Sequence, residues 1–137
     1  MSEAPTDAAG SRRARVLVVD DERTIAQFIG ELLEFSGYDA LVHTDPMAAL
    51  EAVRAAGGAI DLVVSDQTMP GMVGTDLAAR IHELAPDVPV ILCSGYNDVV
   101  NPDNAPEHGL ARYLNKPVDA ARLVAIVAEV LAQARPR

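Results

Sequence analysis

Four places in the chain set a reactive residue at the end of an apolar run. Asp20 and Asp21, followed by Glu22, close "RVLVVDDE"; Asp66 closes "LVVSD" ahead of a Met-Pro-Gly turn; Ser94 closes "PVILCS"; Lys116 follows "RYLN" and precedes Pro117. Each has an ordinary explanation alone. Asp is common where strands end, an acidic run favours the dipole of a following helix, a serine before Gly95 forms a turn, and a surface lysine needs no role. Together they supply three carboxylates, a hydroxyl and an ammonium, which is equipment for phosphoryl transfer. In that chemistry an aspartate attacks, a cation and the ammonium stabilise the phosphoryl oxygens, and the hydroxyl donates to one of them. Three carboxylates brought together repel: at ~4 Å and an effective dielectric of ~20, each close pair costs about 4 kcal/mol. A divalent cation makes such a cluster tolerable, and an all-oxygen, water-retaining set suits Mg²⁺.

This chemistry requires elements that bring the four places to one edge. "RVLVVD" (15–20), "YDALVH" (38–43), "IDLVVSD" (60–66), "VPVILCS" (88–94) and "ARYLN" (111–115) read as strands, apolar enough to be buried on both faces. Between them lie amphipathic helices. The first carries Ile25, Phe28, Ile29, Leu32 and Leu33 on one stripe and ends at Ser36-Gly37; the second starts at Asp45 as N-cap with Pro46 and stops at Gly57-Gly58. A third spans 75–84 with Leu77, Ile81 and Leu84 on one face, and the last spans 119–134 with Leu123, Ile126, Val127, Val130 and Leu131 in line. The alternation predicts an α/β, doubly wound parallel sheet with helices on both sides and strand order 2-1-3-4-5. That order makes the first and third strands neighbours. Asp20, Asp21 and Asp66 then meet at the carboxyl edge, flanked by Ser94 and Lys116, where ligands of such sheets bind.

The 137 residues suit one domain, and with aromatic residues at only 4% the core must be aliphatic. A net charge of −9 argues against non-specific nucleic-acid binding. Cys93 is the only cysteine, which excludes an internal disulfide, and it reads as a small buried hydrophobe. No apolar run approaches a membrane span and the start lacks a secretory core, so a soluble cytoplasmic protein is expected. Residues 1–13 read as a flexible tail, with Arg12, Arg13 and Arg15 solvated, and 14–134 as the domain. His43, His82 and His108 read as surface or packing residues. Gly71, Gly74 and Gly95 read as glycines required by backbone conformation.

The stretches "VLVVDDE", "DLVVSDQTMPGMVG", "PVILCSGY" and "YLNKP" resemble the receiver domain of two-component response regulators, over residues 14–133. The resemblance implies a flavodoxin-like receiver fold in which Asp66 accepts a phosphoryl group from the phosphohistidine of a histidine kinase or phosphotransfer protein. It implies that Asp21 and Asp66 bind Mg²⁺ directly, Asp20 mainly through water, and Thr68 through its backbone carbonyl. Ser94 and Lys116 would hold the phosphate, Ser94 and Tyr113 would act as the switch, and the Lys116–Pro117 bond would be cis. Such a module is not an enzyme in the usual sense, although it catalyses its own phosphorylation and dephosphorylation. Its output would be contact with a downstream protein, with no nucleic acid or membrane involved. No output domain is expected after residue 134, and either a free-standing regulator or the receiver of a hybrid kinase fits.

Two other functions compete. A haloacid-dehalogenase-type phosphatase also uses an Asp nucleophile, Mg²⁺ and a lysine, but it needs a nucleophile and a general-acid Asp two residues apart after the first strand, where here the two aspartates are adjacent and Glu22 stands two after Asp20. A nucleotide-binding module needs a glycine loop in the place of Asp20-Asp21-Glu22. One segment departs from the resembled family. In "GYNDVVNPDNAPEHGLARY" (95–113), Pro106 follows Pro102 by four residues, and a proline inside a helix costs about 3 kcal/mol. A short or irregular fourth helix is therefore predicted, with 97–108 mobile and ordered by phosphorylation for presentation with Tyr113.

Overall fold

The computed structural model describes residues 13–56, 59–95 and 104–134. Five parallel strands form one sheet in the order β2-β1-β3-β4-β5. They are β1 (Arg15–Val19), β2 (Asp39–His43), β3 (Leu62–Asp66), β4 (Val90–Ser94) and β5 (Arg112–Asn115), and the helices are α1 (Arg23–Phe35), α2 (Pro46–Ala56), α3 (Gly74–Leu84) and α4 (Ala120–Ala134). Because strand side chains alternate between faces, two cores result. Leu17, Val19, Val63 and Leu92 pack with Leu50, Val53, Leu77 and Ile81 of α2 and α3. Val16, Val18, Leu62, Val64 and Ile91 pack with Ile29 and Leu33 of α1 and Leu123, Ile126 and Val127 of α4. No helix among the described residues is long and apolar enough to cross a membrane.

Local signals account for most boundaries. Ser36 closes α1, and Gly37 follows at φ 102°, a left-handed value that glycine adopts without strain. Asp45 Oδ1 accepts the Met47 N–H at 3.3 Å ahead of α2. β4 begins at Val90 rather than 88, since Pro89 has no N–H for the ladder, although its carbonyl still accepts Val63 N–H at 3.0 Å. β3 begins at Leu62 rather than 60: Asp61 turns its carboxylate to the Arg15 N–H at 2.8 Å.

The structure departs from expectation at the margins. β2 is not buried on both faces; Leu41 and Val42 are each 37% exposed, because this edge strand is only partly covered, by α1 on one face and α2 on the other. Phe28 and Leu84, read as core-facing, lie at the rims of their stripes and stay 48% and 41% exposed. Arg13, expected in the solvated tail, belongs to the fold. Its guanidinium donates to the carbonyls of Glu34, Gly37 and Tyr38, each at 3.0 Å, and so satisfies the open end of α1. The other expectations for residues 1–12, for Gly57-Gly58 and for 97–103 lie outside the described residues. Within the segment before β5, the described part holds one turn of 3₁₀ helix at Ala105–His108, in keeping with a short, irregular helix there.

Candidate phosphoacceptor site

The register delivers the reactive side chains to one edge. β1 pairs with β3 and β3 with β4, with Asp66 opposite Cys93 and Ser94 opposite Asn115. Asp20, Asp21 and Asp66 each offer a carboxylate oxygen, and these oxygens all lie within 4.8 Å of one another. Asp20 is 2% exposed and Asp66 6%, whereas Asp21 is exposed. Asp20 is committed on both oxygens: Oδ1 accepts the Glu22 N–H at 2.9 Å and Oδ2 accepts Lys116 Nζ at 3.2 Å. It therefore fixes the turn into α1 and also faces the site.

Lys116 reaches two acids from the far side of β4. Its Nζ lies 2.9 Å from Asp66 Oδ1 as well as 3.2 Å from Asp20 Oδ2. Its backbone N–H donates to the Ser94 carbonyl at 2.9 Å, and the bond to Pro117 is cis. Ser94 is fully buried, and its hydroxyl donates to the Gly95 carbonyl at 3.2 Å. Tyr113 is half-buried against the core beneath α2 and α3. Thr68 stands exposed in the turn two residues after Asp66.

Burial pushes the Asp66 carboxyl above the ordinary aspartate range; the Lys116 hydrogen bond opposes this, and the charges of Asp20 and Asp21 add to it. Burial works against the Lys116 ammonium, but its contacts with Asp66 and Asp20 outweigh that and raise its pKa. Lys116 thus offsets one of three clustered negative charges. The donor set is oxygen only and carries an excess of negative charge, which fits a hard divalent cation such as Mg²⁺. Cys93, on the neighbouring strand, is a buried thiol pushed up to about 12 by its surroundings, chiefly burial, and is inert packing as expected. His82 is a packing residue, its Nε2 3.0 Å from the Val88 carbonyl.

Two further polar residues at this edge carry no signal in the sequence that names their partners. Ser65 is buried and its hydroxyl donates to the Asp66 carbonyl at 2.9 Å. Gln67 is buried and bonded to the first turn of α3. A polar residue directly beside Asp66 was the only available signal, and it does not name a partner eight residues away.

Comparison with known proteins agrees with this geometry. The family model described as response regulator receiver domain matches residues 16–128. The chain is 34% identical over 124 residues to the DNA-binding transcriptional regulator NtrC of Rhizobium meliloti, covering 90% of this chain and 25% of that protein. It is 34% identical over 129 residues to the sensor kinase CckA of Brucella abortus, covering 94% of this chain and 13% of that one. The chain therefore spans a quarter or less of the length of these relatives. Among solved structures, a response regulator receiver domain protein from Clostridium thermocellum superposes with a TM-score of 0.82 at 33% identity, covering 88% of this chain and 95% of that one. A CheY-like receiver domain protein from Methanospirillum hungatei gives 0.82 at 28% identity, covering 90% and 97%.

Proposed function

The chain belongs to the response regulator receiver domain family of two-component signalling, and from that premise we propose that Asp66 is its phosphoacceptor, served by Asp20, Asp21, Thr68, Ser94 and Lys116. The observation that carries the assignment is Lys116 Nζ bridging Asp66 and Asp20 within a three-carboxylate cluster. An Asp66 carboxylate oxygen attacks the phosphorus of a phosphohistidine. The P–N bond breaks, the imidazole keeps the electron pair, and an aspartyl phosphate forms. Lys116 holds the Asp66 carboxylate in place and offers its ammonium to the incoming phosphoryl oxygens. Ser94 exchanges its bond to the Gly95 carbonyl for one to a phosphoryl oxygen. Asp21, Asp66 and the Thr68 carbonyl would hold Mg²⁺ directly and Asp20 through water. The ion supplies positive charge to the transferring group when bound.

Receiver domains pair with histidine kinases, so the donor is a histidine kinase or a histidine phosphotransfer protein. The same site returns the phosphoryl group to water. Output runs through Ser94 and Tyr113 to a downstream protein, and the acidic domain 14–134 itself makes no contact with nucleic acid.

The test is intact-mass measurement after incubation with acetyl phosphate. Wild type gains one phosphoryl group with Mg²⁺ and none with EDTA, and Asp66→Asn gains none. An undiminished mass gain in Asp66→Asn refutes the assignment.

A further inference from the structure

Gln67, immediately after Asp66, is 2% exposed and bonded at four points. Its N–H donates to the Cys93 carbonyl at 3.0 Å, and its own carbonyl accepts the Gly74 N–H at 2.9 Å. Its Oε1 accepts the Thr75 N–H at 2.9 Å, and its Nε2 reaches Thr75 Oγ1 at 3.4 Å. Val73, the N-cap of α3, provides no side-chain cap. Gln67 takes that part from outside the helix, satisfying an N–H that the first turn leaves open. Gly74 permits the approach: a Cβ there would collide with the Asp66 carbonyl and lie 2.6 Å from Leu92 Cδ1. The turn 68–73 is thereby closed between two residues that are fastened to each other, and Thr68 is its first member.

We propose that Gln67 is a positioning residue for the metal-dependent site, locking the turn after β3 so that the Thr68 carbonyl is held beside Asp66 before a cation arrives. The proposal rests on the reading of Asp66 as phosphoacceptor. A buried amide satisfied at both ends adds little net stability over an apolar side chain of similar shape. What it adds is a fixed geometry, and outer partners of that kind tune metal affinity.

The test uses Gln67→Met, which keeps the bulk and removes both polar ends, and Thr75→Val, which removes only the long hydroxyl contact. Calorimetric Mg²⁺ titration of the full chain should show Gln67→Met needing about ten-fold more Mg²⁺ for half-saturation, and Thr75→Val matching wild type. At saturating Mg²⁺ the maximal rate with acetyl phosphate should return toward wild type, placing the defect in metal dependence. Linkage supplies a measurement that needs no variant. If the clamp favours Mg²⁺ by about ten-fold, Mg²⁺ must protect the clamp by about the same factor, read as slower amide exchange at Thr75 relative to β2. Unchanged Mg²⁺ affinity in Gln67→Met, or Thr75 exchange in wild type that ignores Mg²⁺, overturns the proposal and leaves Gln67 a helix cap. Failure of wild type to take a phosphoryl group would instead tell against Asp66, because the Mg²⁺ and exchange readings do not depend on it.

Discussion

Lys116→Met removes the ammonium that touches both buried carboxylates while keeping an unbranched side chain of similar length. The two contacts, at 2.9 and 3.2 Å, join Nζ to groups that are 6% and 2% exposed. At ~3 Å and an effective dielectric of ~20, each attraction is about 5 kcal/mol before desolvation is subtracted. Deleting one partner of a buried pair costs about 3–5 kcal/mol overall, since the carboxylates keep their desolvation penalty without compensation. Lys116 is itself 21% exposed and admits water, so the low end applies, about 3 kcal/mol. In EDTA near neutral pH, with an m value of about 1.5 kcal/mol/M, the urea midpoint should fall by about 2 M. Mg²⁺ at about one hundred times its dissociation constant restores about 2.7 kcal/mol, so the ion should recover most of the loss. The deficit should also shrink under acid conditions, where protonation of Asp66 relieves the repulsion. A variant as stable as wild type in EDTA, or one that Mg²⁺ fails to rescue, would refute the view that Lys116 stands in for missing positive charge.

Three further outcomes follow from the same geometry. Burial raises the folded-state pKa of Asp66 above its reference of 3.8, so its contribution to stability is present below that reference and is lost as pH rises through the folded value. The metal-free stability of Asp66→Asn relative to wild type should accordingly improve from acid toward neutral pH in urea titrations, and a pH-independent difference would contradict this. Asp21 is exposed, so Asp21→Asn should stabilise the metal-free protein by less than about 1 kcal/mol while weakening Mg²⁺ binding in calorimetry; a marked loss of metal-free stability would make it a structural cap. Gly74→Ala puts a methyl group against the Asp66 carbonyl and Leu92 and should cost about 1–3 kcal/mol, read as a lower Tm. An unchanged Tm would mean that α3 slides away freely.

Much of this molecule was legible because its strands are short and its candidate site residues sit at or just past their carboxyl ends. The apolar runs ending at Val19, Asp66 and Ser94 state both where each strand lies and what it delivers, and the parallel order then brings the deliveries together. Helix ends marked by Asp45 or by Ser36-Gly37 carry local signals of equal clarity. What stayed hidden is contact between residues far apart in the chain. Arg13 satisfies carbonyls more than twenty residues away, and nothing near it distinguishes it from a tail arginine. Phe28 looks like core on a helical wheel, but the width of the stripe that packs is set by how closely α1 meets the sheet. Gln67 carries no local signal, because its meaning depends on Thr75 and on the space left by Gly74.

The layered cores and the charged edge pull in opposite directions, and Lys116 is where they are reconciled. Apolar packing on both faces stabilises the sheet without help from the strand ends, so an unfavourable cluster can be kept there. Lys116 contacts Asp66 Oδ1 and Asp20 Oδ2 together, which offsets part of the repulsion. On the proposal that Asp66 is the phosphoacceptor, an arriving phosphoryl group would displace that contact and offer its own oxygens to the same ammonium. The lysine would then change partner without losing one, and the buried charge would not be stranded. On the same proposal, the intermediate exposure of Lys116, between its two nearly buried partners and open solvent, would let one residue support both states.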